Sequence, residues 1–266
     1  MSRSSTRRQA HAAVLELLER RHGIGQRGAA PPAWMELRLD RALDALAAGD
    51  PGGALELLRN DPARLAEVAD LLRVGETRFY RDPPQWDALR RVVIPELAGR
   101  ERVRALSVGC SSGEEAWTLA MLLDEARPGS IASFRVVGSD RSVAALAAAR
   151  EGVYGDDAVR QLPDELAARY LERTGGGVRI GPALRPAVSF VARDAMQGPP
   201  PGRYEILICK NLFIYFGDEA LAHVVSGLLR ALAEGGVLIV AKSEIPRVRA
   251  LGHRTRELCP GVLSFA

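Results

Sequence analysis

The chain has 266 residues, 47% of them hydrophobic and 26% charged, with a formal net charge of +3. At about 150 residues per domain this is one or two ordinary globular domains. It excludes a disordered chain, a collagen-like repeat and a small disulfide scaffold. So slight a charge excess argues against a nucleic-acid or membrane footprint over the whole chain. Nearly all the positive charge is Arg, since Lys210 and Lys242 are the only lysines.

The opening residues, MSRSSTRRQAHAAVLELLERR, are basic, and charges interrupt their apolar part within a few residues. They hold no uninterrupted apolar core and no small-residue cleavage site. Arg3 to Arg8 read as a solvated tail. Up to about residue 75 the pattern is helical. His11 to Arg21, Trp34 to Ala48 and Ala63 to Leu72 each carry apolar residues on one face, the last at Leu65, Val68, Leu71 and Leu72. Gly23 to Pro32, Gly49-Asp50-Pro51 and Asp61-Pro62 separate them. Asp82-Pro83 reads as an N-cap and first-turn pair, opening a helix with Trp86, Leu89, Val93 and Leu97 on one side.

From Arg102 strands alternate with helices. Val103 to Val108 is a strand running into the loop Gly109-Cys110-Ser111-Ser112-Gly113, and a helix follows from Glu114 to about Ala126. Phe134 to Gly138 is a second strand, ending at Ser139-Asp140 ahead of a helix from Val143 to Arg150. Val188 to Ala192, Ile206 to Cys209 and Val237 to Val240 are further strands, the last two separated by a helix from about Glu219 to Ala233. Runs apolar on both faces suit a parallel sheet covered by helices. Between Tyr154 and Pro186 the alternation breaks around Gly175-Gly176-Gly177, which reads as a hairpin or small insertion. The longest strongly apolar stretch, Gly236 to Ala241, is far too short to cross a bilayer. Together these features give the expectation of a soluble cytoplasmic protein.

The loop after the first strand is the natural ligand site, because open α/β sheets bind ligands at the carboxyl ends of their strands. Gly109 and Gly113 allow close backbone approach. The loop is not G-x-G-x-x-G, and Glu114-Glu115 stands where a pyrophosphate would otherwise sit, which favours a cationic or hydroxyl- and amine-rich ligand. An ordinary turn with acidic residues favouring the helix dipole is the other reading. Asp140 either accepts hydrogen bonds from ribose hydroxyls or caps the next helix. In Cys209-Lys210-Asn211-Leu212-Phe213-Ile214-Tyr215-Phe216, Phe213, Ile214 and Phe216 read as core. Asn211 and Tyr215 are polar groups in an apolar stretch and need partners. Cys110, Cys209 and Cys259 are widely spaced and form no C-x-x-C pair, so neither a disulfide framework nor a zinc site is expected.

Taken together these motifs resemble the CheR family, the S-adenosylmethionine-dependent methyltransferases that esterify glutamate side chains of bacterial chemoreceptors. The matching stretches are Glu76-Thr77-Arg78-Phe79-Tyr80-Arg81-Asp82-Pro83, Cys110-Ser111-Ser112-Gly113-Glu114-Glu115, Gly138-Ser139-Asp140, Ala149-Arg150-Glu151-Gly152-Val153-Tyr154, and Cys209-Lys210-Asn211 through Tyr215-Phe216. They occur in the family's order, from about Leu72 to Glu244. The resemblance implies an α/β fold: a Rossmann-like methyltransferase sheet (76–266) with an all-helical N-terminal domain (1–75) and a small β-subdomain inserted at about 154–188. It implies S-adenosylmethionine as cofactor, with S-adenosylhomocysteine as product, and the cytoplasmic domain of a chemoreceptor as partner, without nucleic acid or membrane insertion.

Residue by residue, the resemblance implies that Thr77 and Arg81 reach the methionine part of the cofactor. Glu115 binds near its amino end, within the loop Gly109, Cys110 and Gly113. Asp140 takes the ribose, Asp194-Ala195 flank the adenine, Lys210-Asn211 lie beside the sulfonium, and Tyr215, with Arg81, lines the methyl-transfer site. The chain departs from the family at Gly75 for Asn, Lys210 for Arg, Trp117-Thr118 for Tyr-Ser, Asp194-Ala195 for Asn-Leu and Ala241-Lys242 for Gly-His. These departures keep open a methyltransferase acting on a small molecule or a non-receptor protein, and a cofactor-binding scaffold without turnover.

Overall fold

The structure is a computed structural model and describes residues 3–25, 33–47, 50–72 and 77–265. Gly75 and Glu76, and with them the expected domain boundary, lie outside the described residues, as do Gly49 and most of the Gly23 to Pro32 segment. The chain forms two compact units, Met1–Gly75 with Phe213–His223, and Glu76–Leu212 with Val224–Ala266.

The first unit is built on α1 (Arg3–His22), α2 (Ala33–Ala47), α3 (Pro51–Asn60) and α4 (Pro62–Leu72). α1 and α2 both pack against α3 and α4, burying Val14, Leu18, Leu39, Leu43, Leu58, Leu65, Val68 and Leu72. α3 has no counterpart in the sequence reading, because Gly52 and Gly53 lie in its first turn and Gly weakens a helix. Its start is fixed by the Asp50 carboxylate, which accepts from the Gly52 N–H at 3.0 Å. Arg3 to Arg8 are the first turns of α1 and not a tail, and Arg7 Nε pairs with Asp40 at 2.8 Å. The Phe213–His223 segment enters this unit through an antiparallel bridge between Ile24 and Phe216. Phe213 and Phe216 are core as expected, but Ile214 is 39% exposed.

The second unit opens with α5 (Pro83–Ala88), which widens into a π turn over Leu89–Val93 and ends in α6 (Ile94–Glu96). Trp86, Leu89, Val93 and Leu97 are all buried. Asp82 precedes α5 but its side chain makes no cap: its backbone is left-handed, with φ 64°. The strands are β1 (Arg100–Val108), β2 (Ile131–Asp140), β3 (Val153–Tyr154), β4 (Leu171–Thr174), β5 (Gly177–Ile180), β6 (Val188–Ala192), β7 (Tyr204–Ile208), β8 (Leu232–Ile239), β9 (Thr255–Cys259) and β10 (Val262–Phe265). Seven of them form one sheet in the order β6-β2-β1-β7-β8-β10-β9. Neighbours are parallel from β6 to β8 and antiparallel at β10 and β9. The intervening helices are α7 (Glu114–Ser130), α8 (Val143–Glu151), α10 (Asp218–Ala231) and α11 (Ile245–Ala250), while α9 (Asp164–Tyr170) lies in the insertion.

This is the expected α/β, Rossmann-like sheet. The chain runs outward from β1 to β2 and β6, then returns to β7 on the other side of β1. The strand order therefore reverses between β1 and β7, and the carboxyl ends of these strands form the switch point at which open α/β sheets have their ligand crevice. The terminal β9–β10 hairpin was not anticipated, since Arg256, Glu257 and Ser264 interrupt its apolar pattern. The insertion is a separate antiparallel sheet, β3-β5-β4, with Gly175 and Gly176 at the β4–β5 turn.

Gly261 turns between β9 and β10 with φ 78°, and a Cβ there would lie 2.0 Å from Gln85 Nε2 and 2.7 Å from the Val240 carbonyl oxygen. Gln85 is buried and donates to that same carbonyl at 2.8 Å. Gly261→Ala should therefore cost about 2 kcal/mol, from left-handed strain and the displaced hydrogen bond. Urea unfolding at constant m-value measures it.

Candidate active site

The cleft is lined by segments whose backbone leaves ordinary conformations. Among the described residues four non-glycine residues have positive φ: Tyr80 (56°), Asp82 (64°), Ser111 (48°) and Asn211 (57°). All four lie in the 77–83 segment or just beyond β1 and β7. Such conformations cost about 1–3 kcal/mol each and persist only where the surroundings impose them. At Ser111, Asn211 and Asp82 the imposing groups are buried charges, and at Tyr80 the N–H donates to the Thr118 hydroxyl at 3.2 Å.

At β1, Asp140 stands at the end of β2 and is 9% exposed. Its Oδ2 accepts from the Ser111 N–H at 2.9 Å and its Oδ1 from the Ser142 N–H at 2.9 Å. It does not cap α8; Ser142 does, accepting from the Ala145 N–H. Gly109 and Gly113 bracket the turn with φ of 73° and 94°, and a Cβ on Gly113 would meet Ala149 and Phe190 at 2.8 and 3.1 Å. Only glycine fits there. Cys110 between them is buried, and burial pushes its thiol pKa well up, reinforced by the charges of Asp140, Glu115 and Glu114. Three carboxylates thus converge on one loop.

Burial likewise raises the Glu114 and Glu115 carboxyls above the usual range. For Glu114, hydrogen bonds from Ser112 and Thr77 oppose the rise, and Ser112 Oγ donates at 2.8 Å. For Glu115 the opposing groups are Lys210, Ser107 and Arg81, and Ser107 Oγ donates to it at 2.7 Å.

Lys210, beyond β7, is buried against the 77–83 segment. Its Nζ donates to the Arg81 carbonyl at 3.1 Å, pairs with an Asp82 carboxylate oxygen at 3.3 Å, and lies 5.4 Å from the centre of the Trp86 ring. The Asp82 side chain, free of any capping duty, is thereby the counter-ion of Lys210. Beside it, the N–H groups of Asn211 and Ala241 both donate to Glu244 Oε2, at 3.0 and 3.1 Å. Glu244 is completely buried and fixes the left-handed turn at Asn211.

The second unit therefore brings together Thr77, Arg81, Gly109, Cys110, Gly113, Glu115, Asp140, Lys210 and Asn211. Asp194 and Ala195 open a short turn after β6, where Asp194 Oδ1 accepts from the Met196 N–H at 2.9 Å and Oδ2 lies 3.9 Å from Arg141. Tyr215 belongs to the other compact unit. There its ring meets Trp34 edge-on at 6.3 Å and its carbonyl accepts from the Gly25 N–H. Ser107, Ser112 and Glu244 were given no role of their own in the sequence reading. The signal for Glu244 was an acid just beyond an apolar strand and before Pro246.

Cys110, Cys209 and Cys259 carry free thiols. Among the described residues no acidic, His or Cys cluster could hold a metal, and no helix is long and apolar enough to cross a membrane.

Residues 75–252 match the family described as CheR methyltransferase, SAM binding domain. The chain is 28% identical over 237 residues to chemotaxis protein methyltransferase 1 of Pseudomonas aeruginosa, covering 85% of this chain and 86% of that protein. It is 29% identical over 219 residues to an uncharacterized 104.1 kDa protein of Rhodobacter capsulatus, covering 80% of this chain but only 23% of the relative. Among solved structures, a SAM-dependent methyltransferase from Geobacter sulfurreducens in complex with S-adenosyl-L-homocysteine aligns over 59% of this chain and 47% of its own, at 20% identity and a TM-score of 0.35.

The raised Glu114 carboxyl gives a stability signature. Its unfolded value is about 4.3, so between that pH and its higher folded value the folded chain binds more protons. Stability then falls as pH rises through this window and levels off above it. Glu114→Gln should flatten part of that fall, as read by thermal unfolding from about pH 4 to pH 8; a curve parallel to wild type would mean that burial does not set this carboxyl.

Proposed function

The chain belongs to the CheR methyltransferase family, and from that premise we propose that it transfers a methyl group from S-adenosylmethionine to glutamate carboxylates of a chemoreceptor in the cytoplasm. The observation that carries this reading is the convergence of Glu114, Glu115 and Asp140 on the glycine-bracketed loop after β1, opposite Lys210 and Arg81.

The residues fit the cofactor. Each Asp140 oxygen spends one lone-pair site on a backbone N–H, and a carboxylate offers about four, so acceptors remain for two ribose hydroxyls. The carboxylates of the loop suit the positive charges of a sulfonium and an ammonium, and they would repel a dinucleotide phosphate. Gly109 and Gly113 keep the turn free of side chains where a ligand must approach the backbone. S-adenosylmethionine, when bound, supplies a methyl group on an electrophilic sulfur.

The acceptor carboxylate is ionised at neutral pH, so the chain has no proton to abstract. Its task is alignment, and positioning of this kind contributes about 7–11 kcal/mol in favourable cases. Lys210 holds Arg81 and Asp82 in place through the Arg81 carbonyl and the Asp82 carboxylate. Arg81 supplies positive potential on the side where an anionic acceptor approaches. Tyr215 is assigned by the family resemblance to orient that acceptor, its phenol donating to the carboxylate. Opposite charges cancel during transfer, so exclusion of water favours it.

The test is methyl-labelled S-adenosylmethionine incubated with the protein and a receptor cytoplasmic fragment, followed by mild alkali. Glutamate methyl esters release label as methanol, whereas methylated nitrogen keeps it. Base-labile label on the receptor supports the proposal; none, with the cofactor bound, transfers it to another acceptor or to a non-catalytic role. Asp140→Asn should weaken S-adenosylhomocysteine binding at least about tenfold by calorimetry, because an amide presents a donor to one of the two N–H groups it serves. Tyr215→Phe should keep cofactor affinity and lower the transfer rate about 10- to 100-fold, the weight of one hydrogen bond to a charged group; a rate within a few-fold of wild type would overturn this role.

A further inference from the structure

Tyr154 lies outside every group used so far. It is the last residue of β3, the short strand through which the inserted sheet joins the second unit, and it is 7% exposed. Its phenol donates to the Ser112 carbonyl at 2.7 Å, inside the Cys110–Gly113 turn. Its ring meets the Phe79 ring edge-on at 4.8 Å. Phe79 belongs to the 77–83 segment, and its N–H donates to the Ala158 carbonyl four residues beyond Tyr154, at 3.0 Å. Burial pushes the Tyr154 phenol far above its ordinary value, with the Glu114 charge adding to the rise, so it stays a proton donor at every working pH. One side chain of the insertion thus touches both segments that frame the cleft.

The contact is directional. The turn, with left-handed residues at Ser111 and Gly113, presents the Ser112 carbonyl to the Tyr154 hydroxyl. Tyr154 reaches it from β3, whose register is set by pairing Tyr154 with Val178 of β5. Gly177 makes that pairing possible: a Cβ there would lie 2.1 Å from the Tyr154 carbonyl oxygen.

We infer that Tyr154 is a positioning residue for the cofactor loop, holding the Ser111–Gly113 turn in its binding form and making the inserted sheet a structural part of the cofactor site. This rests on the reading of that loop as the S-adenosylmethionine cradle. Removing the hydroxyl frees the turn to relax before the ligand arrives, and the ligand must then restore it, at a cost in affinity.

The experiment is titration calorimetry with S-adenosylhomocysteine, alongside thermal unfolding, on wild type, Tyr154→Phe and Tyr170→Phe. Tyr154→Phe keeps the ring contact with Phe79 and loses only the O–H. Tyr170 is the control. It is also a buried phenol of the insertion, donating to Asp124 Oδ2 at 3.0 Å. Asp124 lies ten residues beyond Glu114 along α7, about 15 Å away at 1.5 Å per residue.

Both variants should lose a similar few degrees in melting temperature, and only Tyr154→Phe should lose affinity, by about fivefold, the weight of one net hydrogen bond. Equal affinity of Tyr154→Phe and wild type overturns the inference, as does an equal loss in Tyr170→Phe. A wild type that does not bind S-adenosylhomocysteine overturns instead the reading of the loop. Hydrogen exchange on the unmodified protein gives a second route that needs no variant. S-adenosylhomocysteine should slow exchange at Val178 and Ile180 of β5, which lie outside the loop, and no protection there counts against the coupling.

Discussion

The cleft depends on one recurrent device: a buried carboxylate accepting backbone N–H groups at a turn that L-residues avoid. Asp140 holds Ser111, and Glu244 holds Asn211. At the third place the charge is reversed, and Lys210 anchors the left-handed Asp82 through its carboxylate and the adjoining Arg81 carbonyl. A charge-assisted hydrogen bond at low exposure is stronger than a neutral one, and it offsets strain of the size that such turns carry. Without these anchors the strand ends would relax toward extended backbone and the cleft would lose its floor.

The same anchors set the electrostatics of the site. Glu114, Glu115 and Asp140 crowd the loop so closely that each raises the pKa of Cys110, yet Lys210 and Arg81 face Glu115 across the cleft. A site built this way has acceptors for cationic and hydroxyl groups on one side and cations on the other. That suits a ligand carrying a sulfonium, an ammonium, a carboxylate and a ribose. The substitution of Lys for the family's usual Arg is intelligible here. A single ammonium serves a carbonyl and a carboxylate oxygen on one segment and lies over the Trp86 ring, contacts that a compact point charge makes without a planar fork.

How much was legible in advance followed from how local each signal was. The strand–loop–helix order, the loop glycines and Asp140 sit on short contiguous motifs, so they could be read directly. Glu244 acts on the Asn211 N–H, 33 positions away, and that partner is chosen only by the parallel pairing of β7 and β8. Asp82 shows the limit of local reading. Asp before Pro is a good cap by its neighbours alone, but its side chain went to Lys210, 128 positions away, because a buried ammonium demands a counter-ion and a helix end can be served by water.

By itself the sequence determined the class of the fold, the family and the strand–loop–helix order around the first loop, because apolar periodicity and short motifs encode what a residue does with its near neighbours. The tertiary structure decided the rest. It placed Lys210 on the 77–83 segment, gave the Ser111 and Asn211 turns their carboxylate anchors, added α3 and the β9–β10 hairpin, grouped the Phe213–His223 stretch with the N-terminal helices, and set Tyr154 of the inserted sheet on the Ser112 carbonyl. Apart from α3 and the hairpin, whose local signals glycines and charged residues mask, each of these is a long-range pairing, fixed by burial and by the need of every buried polar group for a partner, and no window of neighbouring residues contains that information.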